Sequence, residues 1–206
     1  MKKIAVFGAT GGTGHELTRQ AIDAGHDLHA LVRNPKRLGI HETKLRITIG
    51  DVLEEKDVEQ CVAGSDAVIC SLGTGPNSPS NVTSEGTKNI IAAMEKHNVD
   101  RLIVVSSLGV GDSKNQIPKA FKIVAATILR KVMIDKEKQE NFVMGSKLKW
   151  TIVRPGGLTN GPQTNCYRVG TGPDIIGKRV SRADVADFLL NVLHKEQYVQ
   201  QAVAIT

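Results

Sequence analysis

The chain has 206 residues, enough for one sizeable hydrophobic core and short for two. Apolar residues make up 40% and charged residues 23%, the proportions of an ordinary globular protein, which exclude a disordered, collagenous or membrane-embedded chain. The formal net charge of +6 suits nucleic acid, an acidic membrane surface or an anionic small molecule, and its sign alone does not choose among them.

Met1-Lys2-Lys3 leads into the apolar run Ile4 to Phe7, which Gly8 ends too early for the apolar part of a secretion signal. No stretch approaches the ~20 apolar residues of a membrane span, so no integral membrane segment and retention in the cytoplasm are expected. That run is the first of several short β-branched segments: Lys3 to Phe7, Asp27 to Val32, Leu45 to Ile49, Ala67 to Cys70, Leu102 to Val105 and Lys149 to Val153, with Val203 to Thr206 as a final strand. Helical patterns alternate with them at Gly12 to Ala24, Lys56 to Val62, Val82 to His97, Pro118 to Met133, Asp135 to Gly145 and Arg182 to His194. The alternation predicts an α/β fold, a doubly wound parallel sheet of the NAD(P)-binding Rossmann type, in a single domain over residues 1–206. Ser181 followed by Asp184 resembles a capping box with Asp in place of Glu and sets the start of the last helix. Glycines and prolines crowd the segment 156–180, which reads as a loop region on the substrate side.

Gly8-Ala9-Thr10-Gly11-Gly12-Thr13-Gly14 follows the first strand and opens the first helix, the context in which a glycine pattern signifies phosphate binding. Glycines let backbone N–H groups approach a pyrophosphate, the helix N-terminus adds partial positive charge, and Thr10 and Thr13 supply hydroxyls. About 20 residues on, where an NAD site carries an acidic residue for the ribose 2′-hydroxyl, the chain has Arg33, whose fork matches a 2′-phosphate; NADP is therefore preferred over NAD. Lys36 and Arg37 fit either phosphate contact or a solvated basic turn. Ligands bind at the carboxyl ends of parallel strands, which puts Asp51 and Val52 near the adenine and Leu72 and Gly73 along the ribose and pyrophosphate.

These segments, with Val62-Ala63-Gly64, Asp66-Ala67-Val68-Ile69, Leu72-Gly73-Thr74 and Ser84-Glu85-Gly86, resemble the atypical short-chain dehydrogenase/reductase group of NmrA-like proteins, and within it the biliverdin-IXβ reductase/flavin reductase proteins. The resemblance spans nearly the whole chain. It implies NADPH as hydride donor, a flavin or linear tetrapyrrole (bilin) as acceptor, a monomer, and Ser107 as the serine beside the nicotinamide, with Ser106 its neighbour. Trp150 to Leu158 is similar instead to a wider bacterial and plastid NAD(P)-binding group, and Gly157 stands where the biliverdin reductases carry a histidine. Pro155 and Gly156 are placed at the nicotinamide end.

The Tyr-x-x-x-Lys pair of ordinary short-chain dehydrogenases is absent, since Thr171 and Ala202 follow Tyr167 and Tyr198 at that spacing. Conjugated acceptors take hydride without a side-chain acid, which accommodates the loss. Lys136 and Lys138 are candidates to orient the nicotinamide or substrate, but with Lys131 they better suit an exposed helix face interspersed with Asp135, Glu137 and Glu140. The apolar segment Ala120, Phe121, Ile123 to Ala126, Ile128 and Leu129 reads mainly as core packing, or else as the wall of a flat substrate site. Six histidines and three cysteines show no metal-ligand spacing, so no metal site is expected, and Cys61 and Cys70 read as small hydrophobes. A non-enzymatic NADP-binding sensor or assembly factor is the alternative to the reductase. A nucleic-acid partner is disfavoured, because only Trp150, two tyrosines and four phenylalanines are available for stacking.

Overall fold

The short β-branched runs all form strands in the computed structural model, which describes residues 1–75 and 78–206. They are β1 (Lys3–Phe7), β2 (Asp27–Val32), β3 (Leu45–Ile49), β4 (Ala67–Cys70), β5 (Arg101–Val105), β6 (Lys149–Pro155), β7 (Gly157–Thr159), β8 (Val169–Gly170), β9 (Arg179–Ser181) and β10 (Gln201–Ile205). The helices are α1 (Gly12–Asp23), α2 (Glu55–Val62), α3 (Val82–Lys96), α4 (Lys119–Ala126), α5 (Arg130–Gly145) and α6 (Arg182–Lys195). The main sheet runs β3-β2-β1-β4-β5-β6-β10-β8, parallel except where β8 pairs with β10. Central strands are apolar without alternation because helices cover both faces: β4 and β5 are buried at every residue.

One core joins α1 and α6 through Leu17, Ala21, Val185 and Leu189 to one face of the sheet at Ile4, Val6 and Ile69. The other joins α2, α3 and α5 through Val58, Ile90, Met94 and Val143 to Ala5, Phe7, Val68 and Leu102. Cys61 and Cys70 lie in this second core, and burial pushes the Cys61 thiol up to about 12. The chain continues outward from β1 in both directions, to β2 on one side and β4 on the other, so their carboxyl ends border the crevice where this topology accepts a ligand.

Below the opposite end of the sheet, the Nδ1 of His26 accepts Lys2 N–H at 3.1 Å and its Nε2 lies 2.7 Å from Nε2 of His194. The Ser181 capping signal is realised: Asp184 N–H donates to Ser181 Oγ at 2.9 Å.

Three expectations change. The helix break falls at Thr127 (φ −112°, ψ −80°), where the hydroxyl bonds back to the Ile123 carbonyl, and α5 runs unbroken through Asp135. The 156–180 segment is not loop throughout, because β7 and β9 form a two-stranded parallel sheet. The apolar α4 segment is not core: Ile123 is 69% and Ile128 80% exposed, while Ala125 packs against Leu108, Ile117 and Ile175. The side chains of Ala120 and Phe121 lie outside the described residues. Among the described residues no helix is long and apolar enough to cross a membrane.

Candidate functional site

A cavity of about 460 Å³ opens at the crevice between β1 and β4. Its floor is the glycine loop. Gly8 has φ +85°, and a Cβ there would stand 2.5 Å from the Ser71 carbonyl oxygen; a Cβ on Gly14 would run into the carbonyl of Gly8. The loop is thus folded against the end of β4 as only glycine permits, and Ser71 Oγ donates to Phe7 O at 3.1 Å to close the same seam. α1 has Gly11 at its N-cap, no capping side chain and no acid in its first turn, so its positive end is left for an external anion.

Gly8, Thr10, Gly11, Gly12 and Thr13 line this cavity together with Arg33, Arg37, Asp51, Val52, Leu72, Gly73 and Ser106. Arg33 and Arg37 meet there because a short 3-10 turn, Pro35–Arg37, starts at Asn34, whose side chain accepts Lys36 N–H at 3.0 Å. Lys36 is exposed and is not among the lining residues. Asp57 Oδ2 accepts Asp51 N–H at 2.9 Å and Asn89 Nδ2 donates to Val52 O at 3.1 Å, which fixes the far wall.

Four selected positions stand elsewhere. Gly14 is sealed behind Gly8. Ser107 is half-buried and its hydroxyl turns to Leu108 O at 3.2 Å. Pro155 O accepts Leu108 N–H at 2.9 Å and Gly156 N–H donates to Ile205 O at 2.9 Å, so both serve a backbone junction, and Leu158, two residues on, reaches the cavity instead.

Lys136 is the largest correction: it is buried, not on an exposed helix face. Its Nζ donates to Val105 O at 3.0 Å and Leu72 O at 3.5 Å, and it lines the inner end of the cavity beside Ser106. Burial lowers its pKa, with the neighbouring Cys70, Glu140 and Asp135 opposing that shift. The preceding residue, Asp135, accepts Thr83 N–H at 3.0 Å and Ser84 N–H at 3.2 Å, capping α3 from another helix and setting the rotation of α5. The hydroxyl oxygens of Ser106 and Thr74 are buried with no partner among the described residues. Thr74, Ser78, Leu158 and Arg182 line the cavity without having been singled out in the sequence. For Arg182 a signal existed, since it is the first residue after the capping Ser181.

No tyrosine lines the cavity among the described residues; Tyr167 donates to Asp187 Oδ2 at 2.7 Å, and burial followed by that carboxylate pushes its pKa up. The described residues contain no cluster of three or more His, Cys, Asp or Glu able to hold a metal.

The model of an NAD(P)H-binding family matches residues 8–196. An uncharacterised chloroplast protein of Arabidopsis thaliana is 31% identical over 99% of this chain and 76% of its own length. Other curated chloroplast relatives are longer, and the chain spans less than half of each. A short-chain dehydrogenase/reductase of Veillonella parvula, solved in complex with NADP, superposes with a TM-score of 0.84 at 19% identity, covering 100% of this chain and 94% of that one. ChuY of Escherichia coli O157:H7, an anaerobillin reductase, gives a TM-score of 0.82 at 22% identity, covering 98% and 96%. At these identities the two structures show the shared fold.

Proposed function

The chain belongs to the NAD(P)H-binding family, and from that premise we propose that it is an NADPH-dependent reductase that passes hydride to a flavin or a linear tetrapyrrole. The observation that carries this reading is one cavity with two arginines at one end and a buried, unpartnered serine hydroxyl beside a buried lysine at the other. The residues fit the cofactor: Arg33 and Arg37 suit a 2′-phosphate, the uncapped start of α1 suits the diphosphate, and Ser106 offers an unused hydroxyl at the nicotinamide end.

NADPH supplies the hydride when bound; with flavin, NADPH plus flavin plus one proton gives NADP⁺ and reduced flavin, the proton coming from water. The protein's part is alignment. Lys136 spends two donors on Val105 O and Leu72 O, which locks its ammonium at the inner wall and leaves its third donor for a ribose or carboxamide oxygen. Ser106 holds the nicotinamide end, Ser107 and the Pro155-Gly156 junction support it from behind, and Leu158 closes the apolar side. The reading takes residues 1–206 as one domain acting as a monomer on a small molecule, with segment 156–180 bordering the acceptor. The ChuY comparison favours an open-chain tetrapyrrole as one acceptor to try.

Anaerobic NADPH oxidation with FMN, and separately with a bilin, tests this. Arg33→Ala should raise the Kd for NADPH roughly 10-fold or more. Ser106→Ala should slow hydride transfer more than Ser107→Ala. The absence of any tyrosine among the described lining residues favours one second reading, an NADP-binding sensor or assembly factor. Tight NADPH binding with no turnover of flavins, bilins or quinones would select that reading.

A further inference from the structure

Arg182 stands at the first position of α6, on a turn that is unusually well anchored. Ser181 Oγ donates to Asp184 Oδ2 at 2.8 Å, and Asp184 Oδ1 accepts the N–H groups of Thr164 at 2.7 Å and Asn165 at 2.9 Å. Burial works against the Asp184 charge, but these donors outweigh it and hold the carboxyl below the ordinary carboxylate range. The arginine projects from this fixed turn across the glycine loop. A Cβ on Gly12 would lie 2.6 Å from Arg182 Cδ and 2.7 Å from Nε, so the arginine side chain rests directly against the glycine loop.

The guanidinium thereby sits over the positive end of α1, which carries no acid in its first turn. Its polar contact among the described residues is a neutral one, Nη1 to Asn160 Oδ1 at 2.6 Å. An anion placed between a guanidinium and a helix start is attracted from both sides. The same cavity contains the buried Ser106 hydroxyl that lacks a partner, an independent sign that a ligand completes it.

We propose that Arg182 binds the cofactor diphosphate from the side opposite the glycine loop, and through Asn160 ties the 156–180 segment to cofactor occupancy. This rests on the NADPH reading above and adds a ligand from the far end of the chain. The diphosphate is then held between backbone amides below and a charged fork above, with Asn160 orienting the fork. Arg182 is a binding and positioning residue; no proton or hydride passes through it.

The test is a set of titrations with NADPH, NADH and adenosine 2′-monophosphate on the wild type, Arg182→Ala, Arg182→Lys and Arg33→Ala. Arg182→Ala should weaken NADPH and NADH by a similar factor, about 10- to 100-fold, while leaving adenosine 2′-monophosphate unchanged, because that probe has no diphosphate. Arg182→Lys should recover part of the loss, keeping charge without the fork. Arg33→Ala should give the opposite pattern, with NADPH and adenosine 2′-monophosphate losing more than NADH. NADPH affinity in Arg182→Ala equal to wild type overturns the proposal, as does an equal loss for all three probes. If Arg182→Ala does not fold, the lysine variant decides: unchanged NADPH affinity overturns the proposal. A wild type that binds no NADPH overturns the cofactor reading itself, a result separable from the others.

Discussion

The two sides of the cavity are built on different principles. On the side formed by residues 3–75, the phosphate seat is built mainly from backbone: glycines at fixed spacing, strand ends brought together by parallel pairing, and an uncapped helix terminus, with Arg33 and Arg37 adding charge at its edge. On the opposite side, residues 105–182, recognition depends on side chains whose placement follows from tertiary partners. There α5 buries Asp135, Lys136, Gln139 and Glu140 while the neighbouring α4 exposes Ile123 and the turn after it exposes Ile128. Apolar character is outside on one helix and polar character inside on the next. These buried side chains take tertiary partners: α3 amides for Asp135, the Val105 and Leu72 carbonyls for Lys136, Thr87 for the Gln139 Nε2 at 2.8 Å, and Arg154 for Glu140 at 3.0 and 2.7 Å. Backbone recognition can be read from a spacing, whereas partner-dependent recognition cannot.

Breaking the phosphate seat at its tightest point should give the largest effect. Gly8→Ala forces a side chain onto a residue at φ +85° and against the Ser71 carbonyl, which should cost about 3 kcal/mol of stability and abolish measurable NADPH binding. A urea melt with a parallel NADPH titration checks both, and a variant with wild-type affinity would mean the loop is not held as described.

A smaller change should come from pH, and it probes the opposite end of the sheet from the cavity. Burial, then the neighbouring His194, lowers the pKa of His26, and burial, then Arg46, lowers that of His29. The unfolded chain therefore takes up protons near pH 6.5 before the folded chain does. This stabilisation is complete above about pH 6.5 and is lost as pH falls below it towards the folded values. Thermal melts between pH 7.5 and 5.5 should show a falling Tm, with His26→Phe flattening part of the slope. A slope unaffected by that substitution would assign the effect elsewhere.

The smallest effect should be in the turn between α4 and α5. Ile128→Ser, at a side chain 80% exposed, should change stability by no more than about 0.5 kcal/mol in a urea melt. A loss of several kcal/mol would restore the core-packing expectation and remove the contrast between the two sides.

What was legible in the sequence follows the same division. The strands, the glycine loop and the place of Arg33 at the end of β2 were available because β-branched runs and glycine spacing report local geometry directly, whereas Arg37 fits two readings equally. The burial of Lys136 was not. Alternating acids and lysines on a helix ordinarily mean a solvated surface, and only the docking of α5 onto α3 reverses that. Ser106 and Ser107 point to different surroundings within one residue, a distinction set by the turn after β5 and invisible in the pair itself.

The carboxylate of Asp135 has a consequence beyond fixing α5. Three helices begin near the cavity, α1, α3 and α6; the start of α6 is capped by the Ser181 side chain, and the positive ends of α1 and α3 are in principle seats for phosphate. The seat on α3 is permanently taken by the chain's own anion. Of these helix starts, that of α1 is left for an external anion, a choice made by competition within the chain itself.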